Sequence, residues 1–394
     1  MNLNRMLKGA LALTIALFSG LTVHAQRTFT IKGQMAKDKQ GQIILTYPDG
    51  DKRKADTLKV VNGSFLFKGE VSRPCYATLD LNRPEMSSRP AASQFDRQDF
   101  YLEATAITVT GDDKIKAALI KGGKSQIEFA ELMMQYKPLQ EENAGLNEKM
   151  AAYRQDMNEA GIKEVQEAAR IVTLKRAKID STLIKNHPDS FVAFDLWAKK
   201  MRSTIDPVIE PAFLHFTPAI RNSREGKIIG EKIAKAKMLD VGRQAPDFTL
   251  KDTLGHPVSL SSLRGKNVML CFWYNGFSSY ETFAFNLQRI NRRLHDKNLV
   301  ILGVYYNSVN KGSDKTEYWK ELLQRSGMNW LNVEDIGGID YRTGSVKSAT
   351  ATAYALGPES LPIAYLIGPD GKILARHLAL ADNNLSKTIG DLLK

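Results

Sequence analysis

Side chains able to do nucleophilic, redox or metal chemistry are few in this chain and widely spaced. Its cysteines are Cys75 and Cys271 alone, and its six histidines are His24, His187, His215, His256, His295 and His377, with no HExxH and no His-x-His pair. Two cysteines exclude a disulfide-dense scaffold and a Cys-only zinc or iron–sulfur site. The expectation is no metal and no cofactor. Cys271 sits inside the apolar run Val268–Tyr274, which reads as a buried small hydrophobe. Cys75 follows Pro74 at the other end of the protein, and a bridge would need the two Cα atoms within about 7 Å. Nothing in the sequence brings them together. Ser278 and Ser279 would need a neighbouring base and an oxyanion hole to act as nucleophiles. No base can be nominated and no GxSxG elbow is present. Ser278-Ser279-Tyr280-Glu281 fits a helix capping box instead, with Ser278 as N-cap and Glu281 reaching back.

The elements that would position these residues fall into distinct stretches. At 394 residues the chain is long for one domain, and 43% hydrophobic with 25% charged residues excludes disordered and fibrous classes. Residues 1–25 carry Arg5 and Lys8 ahead of an apolar stretch from Ala10 to Leu21, then Val23-His24-Ala25. That pattern predicts a signal peptide cleaved after Ala25, hence a periplasmic or secreted protein. The rival, a retained anchor, falls short of the roughly 20 apolar residues a membrane span needs. Taking Arg5 and Lys8 from the formal charge of +12 leaves +10, interleaved with acids as in Asp51-Lys52-Arg53-Lys54. Nucleic-acid binding wants a concentrated basic face, so no nucleic-acid partner is expected, and no stable membrane insertion after signal removal.

Residues 26–122 read as a β-rich domain, an antiparallel sandwich or open barrel. Thr28–Ile31 alternates polar and apolar, and Asn62-Gly63 between Lys59–Val61 and Ser64–Lys68 predicts a type I′ hairpin. Pro48-Asp49-Gly50 marks a turn, Ala77–Leu81 and Ala106–Thr110 read as strands, and Arg83–Gln98 as a surface loop. Residues 123–240 are rich in helix formers, with Ile127, Ala130, Met134 and Ile171, Leu174, Ile179 at helical intervals. Pro188, Pro207, Pro211 and Pro218 divide that region, with Asp189 or Ser190 as an N-cap. From residue 241 to 394 strands and helices alternate. Val268–Tyr274 has the continuous apolar character of a strand buried on both faces, and Phe283, Leu287, Ile290 and Leu294 form the stripe of a following helix. Strands at Leu299–Tyr306, Ile363–Ile367 and Lys372–Ala375, and a C-terminal helix at Leu385–Leu393, imply a mixed sheet covered on both faces.

Val241-Gly242-Arg243-Gln244-Ala245-Pro246-Asp247-Phe248-Thr249-Leu250, then Val258–Lys266 before the Val268–Tyr274 strand, then Leu361-Pro362 followed by Ala364–Lys372, resembles the AhpC/TSA and TlpA/ResA-type thioredoxin-like families. The front of the chain, Asp56–Gly69 and Phe100–Glu103, is similar to the β-domain that precedes such domains in some gram-negative envelope proteins. The resemblance implies an α+β multidomain protein ending in a thioredoxin-like fold, with a cis-proline at Pro362. In the redox-active family a Cys-x-x-Cys begins the helix after the Phe-Trp strand. Aligned on Phe272-Trp273, those places hold Phe277, Ser278, Ser279 and Tyr280.

Thiol–disulfide exchange needs a thiolate attacking sulfur, which a hydroxyl cannot replace. The resulting expectation is an exported thioredoxin-like protein with a degenerate site, holding a polypeptide or envelope-protein partner in a groove lined by Trp273, Phe277, Tyr280, Leu361 and Pro362. The rivals are a thiol–disulfide oxidoreductase using Cys271 or Cys75, and a scaffold acting through the β-domain or helical connector. Trp273 and Phe277 as core residues filling the vacated site is the structural alternative to the groove.

Overall fold

The computed structural model describes residues 28–36, 41–50, 52–82, 96–201, 205–276, 280–308, 315–340, 345–346, 348–357, 360–378, 380, 382 and 384–393. The segment predicted to be a signal peptide, most of the predicted Arg83–Gln98 loop, and Phe277, Ser278 and Ser279 lie outside them, so the expected capping box does too. The chain divides into two compact units, Met1–Pro138 and Leu139–Lys394. Among the described residues no helix is long and apolar enough to cross a membrane.

The first unit is a pair of four-stranded sheets. Its strands are β1 (Thr28–Gln34), β2 (Gly41–Asp49), β3 (Lys52–Val60), β4 (Ser64–Glu70), β5 (Cys75–Asn82), β6 (Arg97–Leu102), β7 (Ala106–Thr110) and β8 (Leu119–Lys121). One sheet runs β4-β1-β7-β8 and the other β3-β2-β5-β6, with no closed barrel. Alternation fills the core: Phe29 and Ile31 from β1, Ile43 and Leu45 from β2, Leu79 and Leu81 from β5. β1 pairs with β7 in parallel, an exception to the expected antiparallel order. Gly33 lies under the Phe65 ring, where a Cβ would overlap it. Asn62 and Gly63 have the expected positive φ angles, 48° and 74°, and Val61 bridges to Ser64. The predicted hairpin stops there. β3 pairs with β2 and β4 with β1, so the two arms part into different sheets.

The division between units falls within α1 (Lys124–Gln155). α2 (Glu159–Asn186), α3 (Phe191–Ala198), α4 (Glu210–His215), α5 (Pro218–Arg221) and α6 (Arg224–Met238) follow. Pro188 separates α2 from α3, and Pro211 and Pro218 occupy the first turns of α4 and α5. Ser190, not Asp189, caps α3, its hydroxyl accepting from the Ala193 amide at 3.1 Å. Phe194, Trp197, Phe213, Phe216 and Ile220 form the core here. The stripes read along α1 and α2 are largely exposed. Ile127, Met134, Ile171 and Leu174 are exposed, whereas Phe129, Leu132, Tyr136, Val165 and Val172 are buried. Helical spacing was legible, but the buried face is set by tertiary packing, which spacing does not encode.

The remainder builds one eight-stranded sheet. Its elements are β9 (Thr249–Asp252), β10 (Pro257–Ser259), β11 (Asn267–Trp273), α7 (Tyr280–Arg293), β12 (Leu299–Ser308), α8 (Lys315–Arg325), β13 (Leu331–Asp340), β14 (Ser345–Val346), α9 (Ala349–Ala353), β15 (Ile363–Ile367), β16 (Ile373–Leu378) and α10 (Leu385–Leu392). The order is β10-β9-β13-β12-β11-β15-β16, with β14 on β13. Central β11 runs parallel to β12 and antiparallel to β15. Val268, Leu270 and Phe272 point to one face, with Tyr354 and Tyr365. Met269, Cys271 and Trp273 point to the other, beneath α7, α8 and α10. A strand covered on both sides must be apolar throughout, and β11 is.

Candidate functional site

In open α/β sheets ligands bind beyond the carboxyl ends of the strands. β11 ends at Trp273 and α7 starts at Tyr280, which places the end of β11 and the start of α7 at that position here. The Leu361–Pro362 peptide is cis, as expected. Phe272 faces Ile363 across the β11–β15 ladder, which puts Pro362 one residue beyond the ladder at the Trp273 end.

Trp273 does not line an open groove. It is 1% exposed, and its indole lies among three rings: Tyr280 (centroids 5.9 Å, planes 17° apart), Phe283 (5.6 Å) and Tyr305 (4.8 Å). Tyr305 stacks in turn on buried Trp319. Leu361 is buried also, while Tyr280 and Pro362 are half-buried. The Tyr280 hydroxyl donates to the Leu322 carbonyl at 3.4 Å, and burial pushes its pKa up to about 12. This turns the ring toward α8. The cavity that Tyr280 lines, about 330 Å³, runs between α7 and α8 with Glu281, Phe285, Gln288 and Arg325 on its wall, and neither Leu361 nor Pro362. Phe285, unmarked by the sequence reading, is 56% exposed on that wall. Its place in the pattern between Ala284 and Asn286 gave no signal, because an exposed ring on a helix looks like any off-stripe residue.

Neither cysteine is presented to solvent. Cys271 is fully buried with its Sγ 3.8 Å from the Met269 carbonyl, and burial pushes its thiol pKa up, away from the thiolate. Cys75 is buried in the first unit's core, and the two cysteines are not joined in a disulfide.

Residues 241–376 match the AhpC/TSA family, and residues 29–129 match a domain of unknown function, DUF4369. The thiol-disulfide oxidoreductase ResA of Bacillus subtilis (strain 168) is 30% identical over 142 residues, 36% of this chain and 69% of that protein. The chain belongs to the ResA-like thioredoxin family. Another relative of this family, the thiol-disulfide oxidoreductase ResA of Bacillus anthracis, is 25% identical over 36% of this chain and 71% of its own length. A solved thiol-disulfide oxidoreductase from Bacteroides fragilis NCTC 9343 is 27% identical, covering 38% of this chain and 99% of its own, with a TM-score of 0.32.

This ResA-like chain also carries buried acids that the sequence did not single out. On β13, Glu334 accepts from Asn307 and from Thr316 (2.8 Å). Its neighbour Asp335, on the opposite face, accepts from the Thr350 hydroxyl, which shares a 3.0 Å hydrogen bond with Tyr306. Burial holds the Asp335 carboxyl above the ordinary range, opposed by the hydrogen bonds from Thr350 and Ser348. Among the described residues no three His, Cys, Asp or Glu side chains group to hold a metal ion.

Proposed function

We propose that this ResA-like protein is exported and binds a polypeptide segment without a dithiol redox cycle. The observation that carries the proposal is the placement of sulfur. Positions 277–280 read Phe-Ser-Ser-Tyr, and the two thiols the chain does have are both buried. Two-electron exchange needs an accessible thiolate, and burial disfavours the thiolate form.

Within this reading the binding surface is the α7–α8 groove beside the vacated site, with Phe285 and Tyr280 as aromatic anchors and Glu281 and Arg325 as polar contacts on its wall. Exposed aromatic residues in a groove are the usual energetic centres of peptide recognition. Trp273, stacked on Tyr280, supports that surface from beneath.

The test has two arms. In an insulin-reduction assay with dithiothreitol, the purified protein should accelerate turbidity no more than buffer does. In fluorescence anisotropy, a labelled unfolded polypeptide (reduced, carboxymethylated α-lactalbumin) should bind, and Phe285→Ala should weaken binding about tenfold. Insulin turnover that disappears in Cys271→Ser restores the oxidoreductase reading. Binding retained by residues 26–240 alone moves the function to the front of the protein. Export is checked by cell fractionation and N-terminal sequencing of the mature chain, expected to start at Gln26.

A further inference from the structure

A second cavity lies on the opposite side of the sheet from Cys271, between α6 and the β15–β16 edge. It measures about 110 Å³, and its wall includes Ile205, Lys232, Ala236, Leu356, Arg376 and His377. We infer that it is a binding site for a short-chain monocarboxylate, held by Arg376 and Lys232 with its alkyl tail against Ile205, Ala236 and Leu356.

Arg376 supplies the main argument. Its side chain is only 8% exposed, its Nη2 donates to Asp206 at 2.8 Å, and its Nε lies 3.4 Å from Asp240. That leaves Nη1 buried with no hydrogen-bond partner among the described residues. A buried, unmatched donor on a charged group is costly, and a carboxylate is the acceptor that matches guanidinium geometry best. Lys232, on the same wall, pairs with no carboxylate among the described residues. Asp206 and Asp240 face the other edge of the guanidinium and are each about half exposed, so water screens them.

The backbone gives an independent sign. Ala355 and His377 line this cavity with φ of 53° each, in the left-handed region that non-glycine residues seldom occupy. Backbone held in that region clusters at ligand sites. The Tyr365 ring packs edge-on against His377, and its hydroxyl is likewise buried without a partner among the described residues.

Size selects among carboxylates. A cavity of roughly 150 Å³ accepts benzene. One of about 110 Å³ suits three to five carbons. Mixed apolar walls with one or two fixed polar groups are the ordinary make-up of a small-molecule site.

The experiment is isothermal titration calorimetry of the full chain with sodium butyrate, using butyramide as the uncharged control at matched ionic strength. Butyrate should bind saturably at one site, and butyramide should not. Lys232→Met, at an exposed position, should weaken butyrate about tenfold, and Ala236→Leu should abolish binding by filling the cavity. Arg376→Gln should also abolish it, with circular dichroism reporting whether that variant folds. No saturable butyrate heat in the wild type, equal binding of butyramide, or unchanged affinity in both Lys232→Met and Ala236→Leu overturns the site. Binding of a peptide with a free C-terminus in place of butyrate overturns the small-molecule assignment. None of these outcomes depends on polypeptide binding at α7–α8.

Discussion

The Trp273 indole and the Tyr280 ring lie stacked, centroids 5.9 Å apart and planes 17° from parallel. The pair joins the end of β11 to the start of α7. Tyr280 therefore does structural work there besides offering an edge to solvent. Tyr280→Ala should cost about 2 kcal/mol through the lost stack and lost burial. Tyr280→Phe keeps the ring and should cost under about 1 kcal/mol, the share of one long hydrogen bond. Because burial raises the folded-state pKa to about 12, unfolding releases a proton above the unfolded value. Stability from this group is present below roughly pH 10 and is lost as pH rises toward the folded value. Urea midpoints should fall between pH 9 and pH 11 in the wild type and fall less in Tyr280→Phe.

Burial of the two thiols has a direct readout. Native protein should not react with an aromatic disulfide reagent on the minute timescale, and two thiols per chain should titrate after denaturation. Cys271→Ser would place a hydroxyl among Met269, Trp273 and the residues of α7, where its nearest acceptor is the Met269 carbonyl. The substitution should destabilise by about 1–3 kcal/mol in urea unfolding. Rapid native labelling at position 271 would remove the physical basis for reading the protein as redox-inactive.

How far the sequence could be read varies with what each residue depends on. β11 was legible because a strand buried on both faces must be apolar at every position, and α7 because Phe283, Leu287 and Ile290 all reach the core. β13 was not read as a strand. Its Glu334, Asp335, Gly337 and Gly338 are poor strand formers, and pairing with β12 and β9 overrides that preference. At the site, the burial of Cys271 followed from its apolar neighbours. The direction of Tyr280 did not, because helical periodicity places a ring on a face without choosing its neighbour. The Asn62-Gly63 turn shows the same boundary: local chemistry fixed two backbone angles, and long-range pairing decided where the arms went.

That turn provides a sharp stability test. Gly63 has φ of 74°, and a Cβ there would overlap the Met35 and Ala36 carbonyl oxygens. The Met35 amide also donates to the Gly63 carbonyl at 2.7 Å, tying the turn to the end of β1. Gly63→Ala combines left-handed strain with a backbone clash and should cost about 2–4 kcal/mol. Gly50, with φ of 63° and open space around its Cα, isolates the conformational part. Gly50→Ala should cost about 1 kcal/mol. Equal losses in the two variants would mean that the close contact at Gly63 contributes nothing.

Asp335 sets the remaining expectation, through pH. Its carboxyl is buried between β13 and Thr350, and burial favours the protonated form over the charged one. The folded pKa lies above the unfolded one, so the unfolded state loses its proton first as pH rises. This group's contribution is complete below the unfolded carboxyl value near 4 and is lost as pH climbs through the folded value. Asp335→Asn imitates the neutral carboxyl and keeps an oxygen to accept from the Thr350 hydroxyl. Its melting temperature should match the wild type near pH 4 and exceed it at pH 7. Thr350→Val should destabilise the protein at both pH values, since it removes the hydroxyl that donates to Asp335 and accepts from Tyr306. A melting temperature for Asp335→Asn below the wild type at pH 7 would mean that the charged carboxylate is the form the fold stabilises.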